Sequence, residues 1–363
     1  MLKEVITEAI GVCIKGAIPF ACYVRPNETS VHFLADDSYD GTPLAVDSID
    51  RFEGFLISTF GVGDTKAYYG IRPRRTAEQI TASSFPEKGI GRQHKSIPDT
   101  SKSQYLKDVA SIIDALSGDY EKAVYARQKT LTSDLAPATA ADIYFEEHPR
   151  CFRFMYYTPA TGIWMGASPE LLIEVNYQEN RMSTMALAGT RAIEDRSEWS
   201  LKNRLEHDIV VNFIRDALTQ AGSNPTVHQT DSCRFGIVEH LSTPIEASPA
   251  VSLSALIRKL SPTPALCGWP TEKAASLISS HEQFDRSCYG GTIGECTSRG
   301  ALIYVNLRSV EIMPGTPNEY RLIAGGGITA NSDPEEEWTE TVNKMKSLTD
   351  IIAPYYTTCN ELI

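Results

Sequence analysis

The sequence predicts an α+β fold on three observations: short apolar runs bounded by Gly, Asp and Pro, helical repeats grouped between hairpin-like strand pairs, and no regular βαβ rhythm. From Val5 to about residue 100, segments such as VHFLA (31–35) and GFLISTFG (54–61) read as short antiparallel strands. Residues 74–104 are polar and rich in Ser, Lys and Arg, which marks a surface excursion and the best candidate boundary in the chain. Beyond it, Leu106, Val109, Ile113 and Leu116 stand at helical spacing in Ser103–Leu116, and Lys122–Lys129 reads as a strand. Strands are expected at Phe152–Tyr157, Leu171–Val175 and Arg181–Leu187. A long helix then starts near Glu198, with Leu201, Leu205, Ile209, Phe213 and Ala217 recurring every four residues. ALIYVNLRSVEI (301–312) is long enough for one strand that crosses a large sheet. In 321–348 a strand runs into three glycines and then a helix. Ser332 or Asp333 can cap that helix, Pro334 suits its first turn, and Ser332 with Glu335 makes a capping box.

Composition narrows the function classes. The 363 residues are 42% apolar and 22% charged, which fits a folded chain of two to three domains or one large one. With 34 basic and 46 acidic residues the formal charge is −12, so the electrostatic footprint of nucleic-acid or anionic-membrane binding is missing. No apolar run approaches the ~18 residues of a membrane span, and the start, MLKEVITEAIGVCIKG, carries Glu4 and Glu8 where a secretory leader is basic. A cytoplasmic protein is the expectation. Eight cysteines lie far apart without a C-x-x-C pair or zinc spacing and read as reduced.

Several charged residues stand where chemistry could use them. On the last helix Trp338, Val342, Met345, Leu348 and Ile352 make an apolar stripe. Glu337, Glu340 and Lys344 lie together beside it. They read either as a solvated face with a Glu340–Lys344 pair or as half of a hard-cation site, since Mg²⁺ is held by one or two carboxylates with waters and substrate oxygens. Glu206, next to the apolar stripe of the earlier helix, would be the other half. Gly325, Gly326 and Gly327 permit a close backbone approach to an anion, yet they match neither phosphate-loop pattern. In 301–312, Tyr304, Asn306 and Arg308 share one strand face, and a buried Arg308 needs either an internal partner or a carboxylate ligand. Lys122 and Glu170 read singly as surface charges; buried together they would supply the opposed base and acid of a proton-transfer reaction.

Taken together, KAVYAR, GASPELL, ALAGT, KNRLEHDIVV, EHLSTP, PTPALCG, EQFDRSCYGGTIG, VNLRS, AGGGI and DPEEEWTETVNK resemble the chorismate-utilising enzyme family, in its order, over about residues 103–350. That family holds isochorismate synthases, salicylate synthases and the synthase components for anthranilate and aminodeoxychorismate. The resemblance implies one α+β domain of large antiparallel sheets with helices outside and the site between the sheets, residues 1–102 being its variable N-terminal part and 103–363 the catalytic region.

It implies Glu206 and Glu340 as direct Mg²⁺ ligands, with Glu337 acting through water and the ring carboxylate of chorismate as the metal's substrate ligand. Gly189, Thr190, Gly325 and Lys344 would assist there. Arg308, Tyr304, Gly325, Gly326 and Gly327 match positions around the enolpyruvyl carboxylate, and His240 one close to the ring. Glu170 resembles the acid that protonates the departing C4 hydroxyl and Lys122 the base that activates water for C2. Ammonia-using relatives carry Gln at the position of Lys122, and aminodeoxychorismate synthases carry Lys at that of Ala188, so the likeness favours water and no amidotransferase partner. Ala265 and Leu266 match isochorismate synthases, where pyruvate-eliminating members commonly have Thr at the first position. Gly326, where Ala is commoner, and Asn203, where some relatives are acidic, depart from the pattern. The expectation is a monomeric, Mg²⁺-dependent isochorismate synthase serving menaquinone synthesis; a salicylate synthase and an inactive chorismate-binding protein are the alternatives.

Overall fold

Period-two alternation in the strands decides which layer each side chain serves. In strand Phe20–Val24, Phe20, Cys22 and Val24 turn to a core shared with helices Glu4–Gly16, Pro137–Glu147 and Pro334–Ile352, while Ala21 and Tyr23 turn to a second sheet. The structure is a computed structural model that describes residues 1–90, 98–116 and 121–355. Among these, one antiparallel sheet runs from edge to edge through Gly268–Trp269, Lys122–Ser133, Asn318–Ile328, Ser309–Met313, Gly162–Ser168, Phe152–Thr158, Phe20–Val24 and His32–Ala35. The other runs through Thr226–Val227, Val238–Ala247, Arg181–Ala192, Leu171–Asn176, Gly300–Val305, Thr292–Thr297, Gly54–Ser58 and Tyr68–Ile71, with Asp231–Phe235 also paired to Val238–Ala247.

Between the sheets lies an aromatic layer in which Tyr23, Phe152, Tyr156 and Trp164 of the first sheet meet Phe55, Ile293 and Tyr304 of the second. Helices Leu201–Gln220 and Leu253–Leu260 cover the outer face of the second sheet through Val210, Ile214, Leu256 and Ile257. Helices therefore lie outside and the strands' inner faces pair, the arrangement expected of the α+β reading. The first hundred residues supply one end of each sheet, and the expected strands at 31–35 and 54–61 fall there. Of the polar stretch 74–104, residues 91–97 lie outside the described residues.

Two expectations are corrected. The run 301–312 forms two strands, Gly300–Val305 in the second sheet and Ser309–Met313 in the first. Arg308 sits at φ +50°, a left-handed conformation that breaks the pleat and lets the chain change sheets. A second exchange occurs where Gly162–Ser168 passes through Pro169 and Glu170 into Leu171–Asn176. The two exchanges are stitched together, Val305 N donating to Glu170 O (3.0 Å) and Ala167 N to Arg308 O (3.2 Å).

The last helix is rotated from its predicted orientation. Its inward face is Glu337, Thr341, Met345, Leu348 and Ile352, whereas Val342 is 42% exposed. Asp333 alone caps it, accepting from the amides of Glu335 and Glu336. Ser332 does not form the capping box, because its hydroxyl donates to Glu337 Oε1 at 2.7 Å.

Arg321 and Glu311, a buried pair on neighbouring strands, tie Asn318–Ile328 to Ser309–Met313, and Arg321 Nη1 also donates to Asp285 O at 3.0 Å. Replacing the cation removes the charge that offsets a buried carboxylate. Arg321→Met should lower the unfolding free energy by about 3–5 kcal/mol in urea titrations; a change under about 1 kcal/mol would mean that the pair bears no stability.

Candidate active site

The cleft opens where the chain changes sheets. Lys122, Gly325 and Gly327 of the first sheet form one wall, Gly189, Thr190 and His240 of the second the other. Glu170 and Arg308 reach it from the two exchange segments, Glu206 and Lys344 from helices.

Close packing explains three glycines. Gly189 has φ +74°, and a Cβ there would stand 2.9 Å from the Asn203 carbonyl oxygen, so helix Leu201–Gln220 reaches its strand only over a bare backbone. Asn203 then fixes that strand, its Nδ2 donating to Thr190 O at 3.3 Å. At Gly327 a Cβ would lie 2.2 Å from Glu206 Oε1 and 2.6 Å from Lys122 Cε. A Cβ on Gly326 would lie 2.8 Å from Glu337 Oε2 and 3.8 Å from Glu340 Oε1. The glycines are thus the floor on which the three carboxylates converge.

Each carboxylate is met by a lysine. Lys122, 1% exposed, lies 2.9 Å from Glu206 Oε1; Lys202 lies 2.6 Å from Glu337 Oε1 and 3.9 Å from Glu206 Oε2; Lys344 lies 2.5 Å from Glu340 Oε1 and donates to Gly325 O at 2.9 Å. Burial by itself would raise the pKa values of Glu206 and Glu340, but the adjacent lysines outweigh it and hold both below the usual carboxylate range. At Glu337 burial wins and the value rises despite Lys202. Its Oε2 is buried without a hydrogen-bond partner.

Glu170 is different. It is 3% exposed, its Oε1 accepts from Thr263 Oγ1 at 3.3 Å, and burial pushes its carboxyl up to about 8 against the opposing pull of Lys122. The group therefore carries its proton at neutral pH. His240 is pushed the other way, well below its usual range, by burial and then by the charges of Arg308 and Lys344. Arg308 Nη2 donates to His240 Nε2 at 2.8 Å, so the ring is neutral with its proton on Nδ1, facing Gly189 O at 3.3 Å and Thr190 Oγ1 at 3.1 Å. Arg308 also donates to Lys344 O (3.2 Å) and lies 4.6 Å over the Phe235 ring. Among the described residues no carboxylate lies within ion-pair distance of its guanidinium. A carboxylate ligand would complete it.

Not every expected residue reaches the cleft. Tyr304 stacks on Phe152 at 4.8 Å in the layer between the sheets and forms no part of the cleft wall. Alternation holds along the strand, with Ile303 and Val305 in one core and Tyr304 in the other, and it ends beyond Val305, where the chain changes sheet, so Tyr304 and Arg308 do not share a face. Ala265 and Leu266 do line the cleft. Residues without an assigned role also prove to belong here. Tyr289, inside the quoted EQFDRSCYGGTIG, accepts from the Gly325 amide at 3.0 Å, Thr263 serves Glu170, and Lys202 joins two helices. Lys202 had a usable signal, four residues before Glu206.

Among the described residues no group of three or more Asp, Glu, His or Cys side chains has metal-holding geometry; the lysines hold the carboxylates instead. The donor set still suits a hard cation: three carboxylates on one glycine floor, one of them with an unpartnered buried oxygen.

Fold and cleft together place sheet walls around the carboxyl of Glu170, the buried amine of Lys122 and the guanidinium of Arg308. The profile of the chorismate binding enzyme family matches residues 70–353, and the chain belongs to that family. Isochorismate synthase EntC of Escherichia coli K12 is 29% identical over 280 residues, 71% of this chain and 69% of that protein. Isochorismate synthase MenF of Haemophilus influenzae is 28% identical over 316 residues, 83% of this chain and 72% of that protein. Across the curated relatives it matches, the chain spans from 49% to 72% of their length. The solved menaquinone-specific isochorismate synthase MenF of E. coli shares the fold, with a TM-score of 0.76 at 21% identity over 97% of this chain and 91% of that one.

The state of Glu170 can be seen directly. In ¹³C-carboxyl NMR, the difference between wild type and Glu170→Gln should isolate one carboxyl titrating near pH 8; a midpoint in the ordinary range near 4 would contradict the buried acid.

Proposed function

We propose that the protein is an isochorismate synthase that converts chorismate to isochorismate with Mg²⁺. The observation that carries the reading is a protonated carboxyl at Glu170 and the amine of Lys122 buried in one cleft, the two ends of a proton path. Water gives a proton to Lys122 Nζ as its oxygen bonds to C2, the double bonds shift, and the C4–O bond breaks. Glu170 delivers its proton to that departing hydroxyl, which leaves as water, so atoms balance and no redox cofactor enters. Lys122 acts here as the neutral amine, its ammonium proton released to solvent beforehand, so Glu206 stays ionised.

Arg308 would hold the enolpyruvyl carboxylate, and neutral His240 would present an uncharged ring edge beside the substrate. Glu206 and Glu340, with Glu337, would hold Mg²⁺, whose charge would neutralise and fix the ring carboxylate. Lys344 and the backbone of Gly189, Thr190 and Gly325 frame the same region. Ala265 leaves no hydroxyl at that point of the wall, in keeping with a product released before pyruvate is lost. In this reading the enzyme is a cytoplasmic monomer without an amidotransferase subunit. It serves menaquinone synthesis, supported by the likeness to MenF over 83% of the chain. No helix among the described residues is long and apolar enough to cross a membrane.

Glu170→Gln and Lys122→Ala should each lower kcat by about 10²- to 10⁴-fold with the fold retained. Because the acid must be protonated, the basic limb of wild-type turnover should fall through about pH 8. Rates in either variant near wild type, or a profile flat past that limb, would sink the assignment of roles. Glu340→Ala should raise the Mg²⁺ concentration needed for half-maximal rate, and an unchanged titration would remove it from the metal site.

A further inference from the structure

The scheme above leaves one cation of the acidic cluster without work. Lys202 stands in the first turn of helix Leu201–Gln220, and its ammonium bridges to Glu337 on helix Pro334–Ile352 at 2.6 Å while lying 3.9 Å from Glu206 on its own helix. Lys122 and Lys344 each meet one carboxylate; Lys202 is shared between two helices.

Its freedom also differs. Lys122 is sealed at 1% exposure, whereas the Lys202 side chain keeps 21% and forms part of an open cleft with Thr190, Asn203, Glu336 and Asn343. A four-carbon stem beside open space can swing outward at the cost of one ion pair. Its partner is poised for a different cation. Glu337 Oε1 is occupied by Lys202 and Ser332, while Oε2 is buried, unpartnered and directed at the Gly326 floor. An ammonium and a divalent ion drawn to the same carboxylate group repel each other strongly in a poorly hydrated site.

We propose that Lys202 is a built-in counter-cation that closes the site in the metal-free protein, and that a divalent cation binds by displacing its ammonium from Glu337 into the open cleft. The inference rests on the reading of Glu206, Glu337 and Glu340 as Mg²⁺ donors. Lys202 then sets the metal threshold, since the observed affinity is what remains after the lysine is expelled.

The test is metal binding by the full chain without substrate, using electron paramagnetic resonance of free Mn²⁺ and calorimetry with Mg²⁺. Lys202→Met should bind either ion roughly 5- to 50-fold more tightly than wild type. Lys202→Gln, uncharged but able to hydrogen-bond Glu337, should tighten binding as well, and Lys202→Arg should not. In a Glu337→Gln background most of the gain should vanish, because the ammonium has lost the partner it competes for. Equal or weaker affinity in both uncharged variants, each folded by its melting curve, would overturn the displacement while leaving the metal site intact. Failure of wild type and variants alike to bind Mn²⁺ would overturn the displacement and the metal reading together.

Discussion

Four glutamates in and beside the cleft, three of them buried and Glu340 partly so, are the constraint around which this protein is built, because a buried carboxylate persists only where something neutralises it. Three lysines meet Glu206, Glu337 and Glu340, and none contacts Glu170, which burial keeps protonated instead. That imbalance divides the labour of the site. Glu206 and Glu340, where the lysines win, keep their charge, whereas Glu337 and Glu170, where burial wins, are pushed toward the protonated form. The same compensation leaves His240 neutral, since it sits between Arg308 and Lys344 in a place where another positive charge would be costly.

The fold supplies this arrangement through two of its changes of sheet. A strand leaving the first sheet carries Glu170 across, and a strand returning to it carries Arg308; backbone hydrogen bonds between the two segments keep acid and guanidinium at a fixed spacing. Residues 300–313 are therefore less a long strand than a joint, with the left-handed backbone of Arg308 as its turning point. The helices answer to the same geometry. Rotation of Pro334–Ile352 turns Glu337 inward and Val342 outward, which costs apolar burial at one position and gains a charged wall for the cleft. Gly189 allows the other helix to approach closely enough for Glu206 to meet Lys122.

Much of this was legible in the residues. The helices at Lys102–Ala115 and Leu201–Gln220 and the strand from Lys122 follow their periodicity closely, since their apolar faces meet ordinary core. Legibility ended where tertiary demands override local pattern. Nothing in the alternation of 301–312 marks the change of sheet, because the signal is one residue's backbone conformation. Tyr304 follows the alternation of its own strand into the aromatic layer, and only the turn beyond Val305 separates it from Arg308. Periodicity placed Val342 inside for want of any term that rewards buried charge, and Lys202 passed unremarked although its spacing to Glu206 is that of an ordinary helical ion pair. The cluster itself became visible only through a resemblance that joined segments far apart in the chain.

The central claim, that water attacks C2 while Glu170 releases the C4 hydroxyl, is tested most directly by one isotope measurement. Purified protein, chorismate and Mg²⁺ in H₂¹⁸O should yield isochorismate carrying one ¹⁸O atom, identified by chromatography and mass spectrometry, and none when EDTA is present. Isochorismate without the label would contradict attack by solvent, and salicylate with pyruvate would contradict the proposed end of the reaction.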